Sequence, residues 1–100
     1  SVMEKSKQPA VYMMSNASRS TLYVGVTSNI IARVWQHKQA CVDGFTKDYQ
    51  CHDLVWFEQH ETMESAISRE KQLKRWRREK KDFLIQQLNP VKKDLYESLF

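Results

Sequence analysis

"AVYMMSNASRSTLYVGVT", Ala10 to Thr27, decides how the rest of the chain is read. Its apolar runs AVYMMS and TLYVGVT flank NASRS, whose Asn and Ser residues have turn chemistry. Two strand-like runs joined by a short polar segment predict a β-hairpin. In the second run Leu22, Val24 and Val26 share one face, and Tyr23, Gly25 and Thr27 share the other. Gly25 is one of only two glycines, beside Gly44. Glycine weakens a strand, because it costs backbone entropy and packs nothing, so its presence marks a bulge or a close approach to the backbone. The expectation here is clearance beside the Tyr23 phenol.

Downstream, TSNIIARVWQHKQA starts with three residues, Thr27, Ser28 and Asn29, that can accept from orphan N–H groups and begin a helix. Ile31, Val34, Trp35 and Lys38 would form its core stripe, with Arg33 and His37, one turn apart, on a more polar face. CVDGFTKDYQCHD lacks a clean period and reads as a loop, and LVWFEQ reads as a strand buried on both faces. Thr62 is a plausible N-cap for the helix that follows, whose stripe is Met63, Ala66, Ile67, Leu73 and Trp76. Glu70 stands on that stripe where a hydrophobic residue belongs. Phe83, Leu84 and Leu88 mark a further helix, ended by Asn89-Pro90, and VKKDLYESLF predicts a short helical tail. The order β-β-α-β-α-α suits a small sheet with helices packed over it. The expected divisions are a flexible lead-in over 1–9, a domain over 10–92 and the tail over 93–100.

A chain of 100 residues with 28% charged and 41% hydrophobic residues is an ordinary globular domain rather than a disordered one. A net charge of +4 favours an anionic partner. No apolar run approaches the ~18 residues that cross a membrane. With Cys41 and Cys51 read as reduced thiols, the expected location is cytoplasmic, without a membrane partner. A zinc site from Cys41, Cys51, His52 and His60 fits no recurring ligand spacing and is set aside.

A carboxylate on a buried stripe must be paired, protonated or metal-bound. Glu70 is therefore either half of an ion pair, with Arg33 or a nearby lysine, or a ligand for a hard cation such as Mg²⁺. Tyr12 and Tyr23 lie on consecutive strands and would meet on one face of a hairpin. Bringing a phenol to neutral pH needs a shift of about 3 units, roughly 4 kcal/mol, and neighbouring cations are the means. Around Glu70 runs the chain's densest basic stretch, in which Lys71, Lys74, Arg75 and Arg78 are candidates for a nucleic-acid backbone.

With these residues in view, "AVY" (Ala10–Tyr12) and "YVG" (Tyr23–Gly25) resemble the two namesake motifs of the GIY-YIG nuclease superfamily, and the chain is similar to its small stand-alone bacterial subfamily. Arg33, eight residues beyond Gly25, and His37 one turn later match that pattern, as do Glu70 within SREKQLKRW and the late "NP…DL", Asn89 to Leu95. The resemblance implies a compact three-stranded, mainly antiparallel sheet flanked by helices, and a metal-dependent nuclease using one Mg²⁺ or Mn²⁺ ion. Its implied substrate is DNA, single-stranded or branched forms included, with RNA the second candidate. By the same resemblance Tyr12 would be the general base or orient the water, and Tyr23 would support it. Arg33 would stabilise phosphoryl charge, His37 would assist proton transfer, Glu70 would hold the metal, and Gly25 would admit the phosphate backbone. Two departures stand out. Ala10 replaces a motif glycine, and Val26 occupies a position where some relatives carry lysine, which leaves His37 more of the activation of Tyr12. The alternatives are a nucleic-acid-binding module that keeps the fold without cleaving, and a protein-interaction adaptor.

Overall fold

A computed structural model describes residues 8–39 and 51–100. The lead-in expected over 1–9 and the loop after the first helix therefore lie largely outside the described residues, as do Cys41 and Gly44.

The hairpin forms as the sequence predicts. Strands β1 (Ala10–Ser15) and β2 (Leu22–Thr27) pair antiparallel, with Tyr12 opposite Gly25 and Met14 opposite Tyr23. The connecting turn is fixed by side chains: Asn16 Oδ1 accepts from Thr21 N–H at 3.1 Å, and Asn16 Nδ2 donates to Ser20 Oγ at 2.8 Å. Arg19 adopts φ 64°, a left-handed conformation costly for a side-chain-bearing residue. Its guanidinium holds Asp53 Oδ2 at 2.7 Å and donates to the carbonyls of Asn16 and Lys92.

Strand β3 (Asp53–Gln59) pairs with the other side of β1, so the antiparallel order is β2-β1-β3. The β1–β3 register slips after Met13, which faces Trp56 while Met14 faces Leu54. Val55 is thus the extra residue of a β-bulge. The bulge sends Val55 and Trp56 to one face together, and Leu54 and Phe57 to the other. An uninterrupted apolar run in this way serves both faces.

Each face carries its own core. Ala10, Tyr12 and Met14 pack with Ile30 and Val34 of α1 (Ile30–Lys38) and with Leu95. Val11, Met13 and Val24 pack with Ala66 and Leu73 of α2 (Met63–Lys74) and with Ile85 of α3 (Arg78–Leu88). Asn29 caps α1 by accepting from Ala32 N–H, and Thr62 caps α2 by accepting from Ser65 N–H, both at 3.1 Å. The tail is a 3₁₀ turn over Tyr96–Leu99, with Leu95, Tyr96 and Leu99 set into the first core rather than trailing from it.

Several side chains point differently from the sequence expectation. The buried line of α1 is Ile30, Val34 and His37, whereas Trp35 is 51% exposed. In α3 the core residue is Ile85, and Phe83 and Leu88 face solvent. Ile67 is likewise exposed, so α2 buries Ala66 and Leu73, with Glu70 lying between them.

The two sheet edges differ. At β3, Asn89 Nδ2 donates to the bulge carbonyl Val55 O at 3.0 Å, Leu95 N–H donates to Leu54 O, and Asp94 Oδ1 accepts from Leu54 N–H. The segment around Asn89 to Leu95 therefore stands in for a fourth strand. Among the described residues β2 pairs with β1 alone.

Candidate active site

Cross-strand register places Tyr12 and Tyr23 on the same face, and the last turn of α1 brings His37 above them. The three rings form a triangle: centroids lie 6.3 Å apart for Tyr12–Tyr23, 5.6 Å for Tyr12–His37 and 5.5 Å for Tyr23–His37. Tyr12 Oη and His37 Nε2 are hydrogen-bonded at 3.0 Å inside this cluster, with both residues 2% exposed. His37, expected on a polar face, is buried instead, because its turn of α1 closes over the tyrosines rather than over water.

Gly25 makes this possible. A Cβ there would meet Tyr12 Oη at 2.5 Å and Cζ at 2.6 Å. The room that Gly25 leaves is therefore filled by the Tyr12 phenol, and is not space held open for a phosphate backbone. The cause is the register, which sets the largest residue of β1 directly opposite the smallest of β2.

The electrostatics follow from burial and neighbours. Burial drives the Tyr12 phenol well above its ordinary range; Tyr23 and Glu70 push the same way, and the Arg33 guanidinium opposes them. Burial, then Arg33 and His52, depress His37 to about 4. Near neutral pH the pair is a protonated phenol and an uncharged imidazole. His37 Nδ1 has no hydrogen-bond partner among the described residues, so a proton there would be buried unpaired. A proton on Nε2 would in turn leave the Tyr12 O–H without an acceptor in the pair, so the tautomer sets the direction of the bond: Nε2–H donates to Tyr12 Oη, or Tyr12 O–H donates to Nε2. Arg33 favours the phenolate, whereas Glu70 opposes it, and an Nε2–H donor would act on the side of Arg33.

Glu70 lies on α2, which packs on the opposite face of the sheet, yet its charge is felt at Tyr12. Its side chain is only 14% exposed and pairs with Lys74 Nζ at 2.9 Å, so the ion-pair partner is a lysine one turn on and not Arg33. No three His, Cys, Asp or Glu residues converge among the described residues. One carboxylate with solvent access suits a hard cation completed by water and phosphate, and it suits Mg²⁺ better than a caged zinc.

Two clefts of about 320 Å³ each adjoin the basic stretch. One, along β2, is lined by Leu22, Tyr23, Val24, Lys74 and Lys81. The other is lined by Ser68, Lys71, Gln72, Arg75 and Trp76. Lys80 Nζ lies 4.3 Å from the centroid of the Trp76 ring. Arg78, expected with the backbone-binding cations, is spent internally: it pairs with Asp82 and donates to the carbonyls of Ser20 and Arg19. Asn89, buried, donates its Nδ2 protons to the carbonyls of Val55 and Lys93 and accepts from Lys93 N–H at Oδ1, and so is a fastener of the fold.

A model described as the GIY-YIG catalytic domain matches residues 8–82. The chain is 34% identical to the UPF0213 protein of Haloquadratum walsbyi over 77% of its own length and 85% of that protein. It is equally 34% identical to the UPF0213 protein of Staphylococcus aureus strain Mu50, over 77% and 93% of the two chains. No solved structure matches it.

Proposed function

Because the chain belongs to the GIY-YIG catalytic-domain family, we propose that it is a divalent-metal-dependent nuclease that hydrolyses phosphodiester bonds, with DNA as the first candidate substrate and RNA as the second. The observation that carries the reading is the buried Tyr12–His37 hydrogen bond, set within a three-ring cluster and under the influence of Arg33 and Glu70.

Hydrolysis needs a water freed of its proton and cations at the phosphoryl oxygens. Tyr12 is the group to receive that proton, once it has passed its own along the bond to His37 Nε2 and stands as a phenolate held by the imidazolium Nε2–H and by Arg33. Arg33 makes no ion pair among the described residues. Its guanidinium is the donor for the equatorial phosphoryl oxygens. Tyr23 walls the imidazole on its other side and holds its orientation. Glu70 would hold one Mg²⁺ or Mn²⁺ ion, which when bound neutralises charge on the leaving oxygen and offsets the carboxylate that holds the Tyr12 phenol up. The remaining cations, Lys71, Lys74 and Arg75, suit sequence-independent backbone contacts.

The rival reading, a binding module without cleavage, draws on the high proton affinity of Tyr12 in the free protein. One experiment separates the two. Labelled single- and double-stranded DNA and RNA are incubated with Mg²⁺, Mn²⁺ or chelator, beside Glu70→Ala and Tyr12→Phe. Cleavage should require metal, disappear in Glu70→Ala with binding retained, and fall by ~10²–10⁴ in Tyr12→Phe. Identical products from wild type and both variants would mark a contaminant and leave only the binding module.

A further inference from the structure

Lys74 belongs to two features at once. Its ammonium pairs with the Glu70 carboxylate at 2.9 Å, and its side chain lines the cleft along β2 with Tyr23 and Lys81. The partners are unequal. Glu70 is 14% exposed and fixed on the line between Ala66 and Leu73, whereas Lys74 is 51% exposed and carries a long, flexible stem. If the pair parts, the lysine is the member free to move, and the wall it already occupies belongs to a cleft with a second ammonium.

Such a pair is easily exchanged, because half-exposed ion pairs hold weakly against competitors of higher charge. A divalent cation and an ammonium cannot both sit against one carboxylate without repulsion. A cleft lined by two lysines and by no acid, moreover, offers donors to an anion of phosphodiester type.

We propose that Lys74 is a placeholder: it occupies Glu70 in the metal-free site, and passes to a substrate phosphate in the β2 cleft when a divalent ion takes the carboxylate. The inference rests on the metal role of Glu70 given above. It makes metal loading and substrate capture one linked event, since the ion that arrives releases the cation that grips the strand.

The test reads Mn²⁺ bound to the substrate-free protein by electron paramagnetic resonance, in wild type, Lys74→Gln, Glu70→Ala and Lys93→Gln, the last a control for the lost charge. Lys74→Gln should bind Mn²⁺ about fivefold tighter than wild type, the placeholder being gone. It should also lose most of the gain in affinity for a single-stranded oligonucleotide that Mg²⁺ gives wild type. Lys93→Gln should match wild type in both. If Glu70→Ala loses Mn²⁺ binding while Lys74→Gln binds it no tighter, the placeholder is overturned and the metal site stands. If Glu70→Ala binds Mn²⁺ as wild type does, both fall together. Should Lys74→Gln fail to fold by circular dichroism, Lys74→Met keeps the aliphatic stem and serves instead.

Discussion

One methyl group at Gly25 is a severe change, because Tyr12 Oη sits 2.5 Å from where that methyl would be. Gly25→Ala should displace the phenol, break its bond to His37 and destabilise the fold by ~1–3 kcal/mol through overpacking, read by thermal or urea unfolding. Unchanged stability and unchanged tyrosine environment would refute the fit. His37 makes a second prediction, with a sign fixed by burial. Its folded-state proton affinity is depressed to about 4 from an ordinary 6.5. As pH falls between those values the unfolded chain takes up a proton that the folded chain refuses, so stability declines, by at most ~3 kcal/mol. His37→Gln should flatten unfolding free energy across that window. Asp94 acts lower down. Burial pushes its carboxyl up, but Lys38 and the backbone N–H groups of Leu54 and Tyr96 outweigh that, and their stabilisation is lost only as pH drops through the more acidic range.

At the scale of elements, what could be read from sequence was whatever repeats locally. The hairpin was legible from its period of two, and Glu70 from an acid standing on an apolar line. The phase of a short helix was not, because IIARVW and FLI each allow two rotations that bury apolar side chains, and only the sheet beneath selects Ile30 over Trp35 or Ile85 over Phe83. The bulge at Val55 was hidden for a related reason: LVWF is apolar throughout and shows no break in alternation. The partner of Gly25 was equally invisible, since register is a cross-strand property. Asn89 illustrates how much a late polar residue can do for such an irregularity, being the donor to the bulge carbonyl. Asn89→Ala should cost ~3 kcal/mol in urea unfolding, because the carbonyls of Val55 and Lys93 and the Lys93 N–H lose their partner. Asn89→Asp should rescue little, a carboxylate having no proton to donate to Val55.

For the whole molecule, the charge is concentrated where α2 passes into α3, beside both clefts. Binding to oligonucleotides should weaken linearly on a logarithmic salt axis. Replacing Lys71 and Arg75 by glutamine should make that slope shallower by roughly 2 on duplex DNA if each meets a phosphate. A slope identical to wild type would place those two residues off the strand. The asymmetry of the sheet has a separate bearing on how the proposed nuclease activity could be stopped. Among the described residues Asn89 to Leu95 claim the β3 rail, and β2, next to the cleft of Lys74 and Lys81, is the edge that pairs on one side. A short extended peptide or mimetic that zips onto β2, with an acidic group placed to meet Lys74 and Lys81, would make an inhibitor that recognises backbone rather than the phenol chemistry.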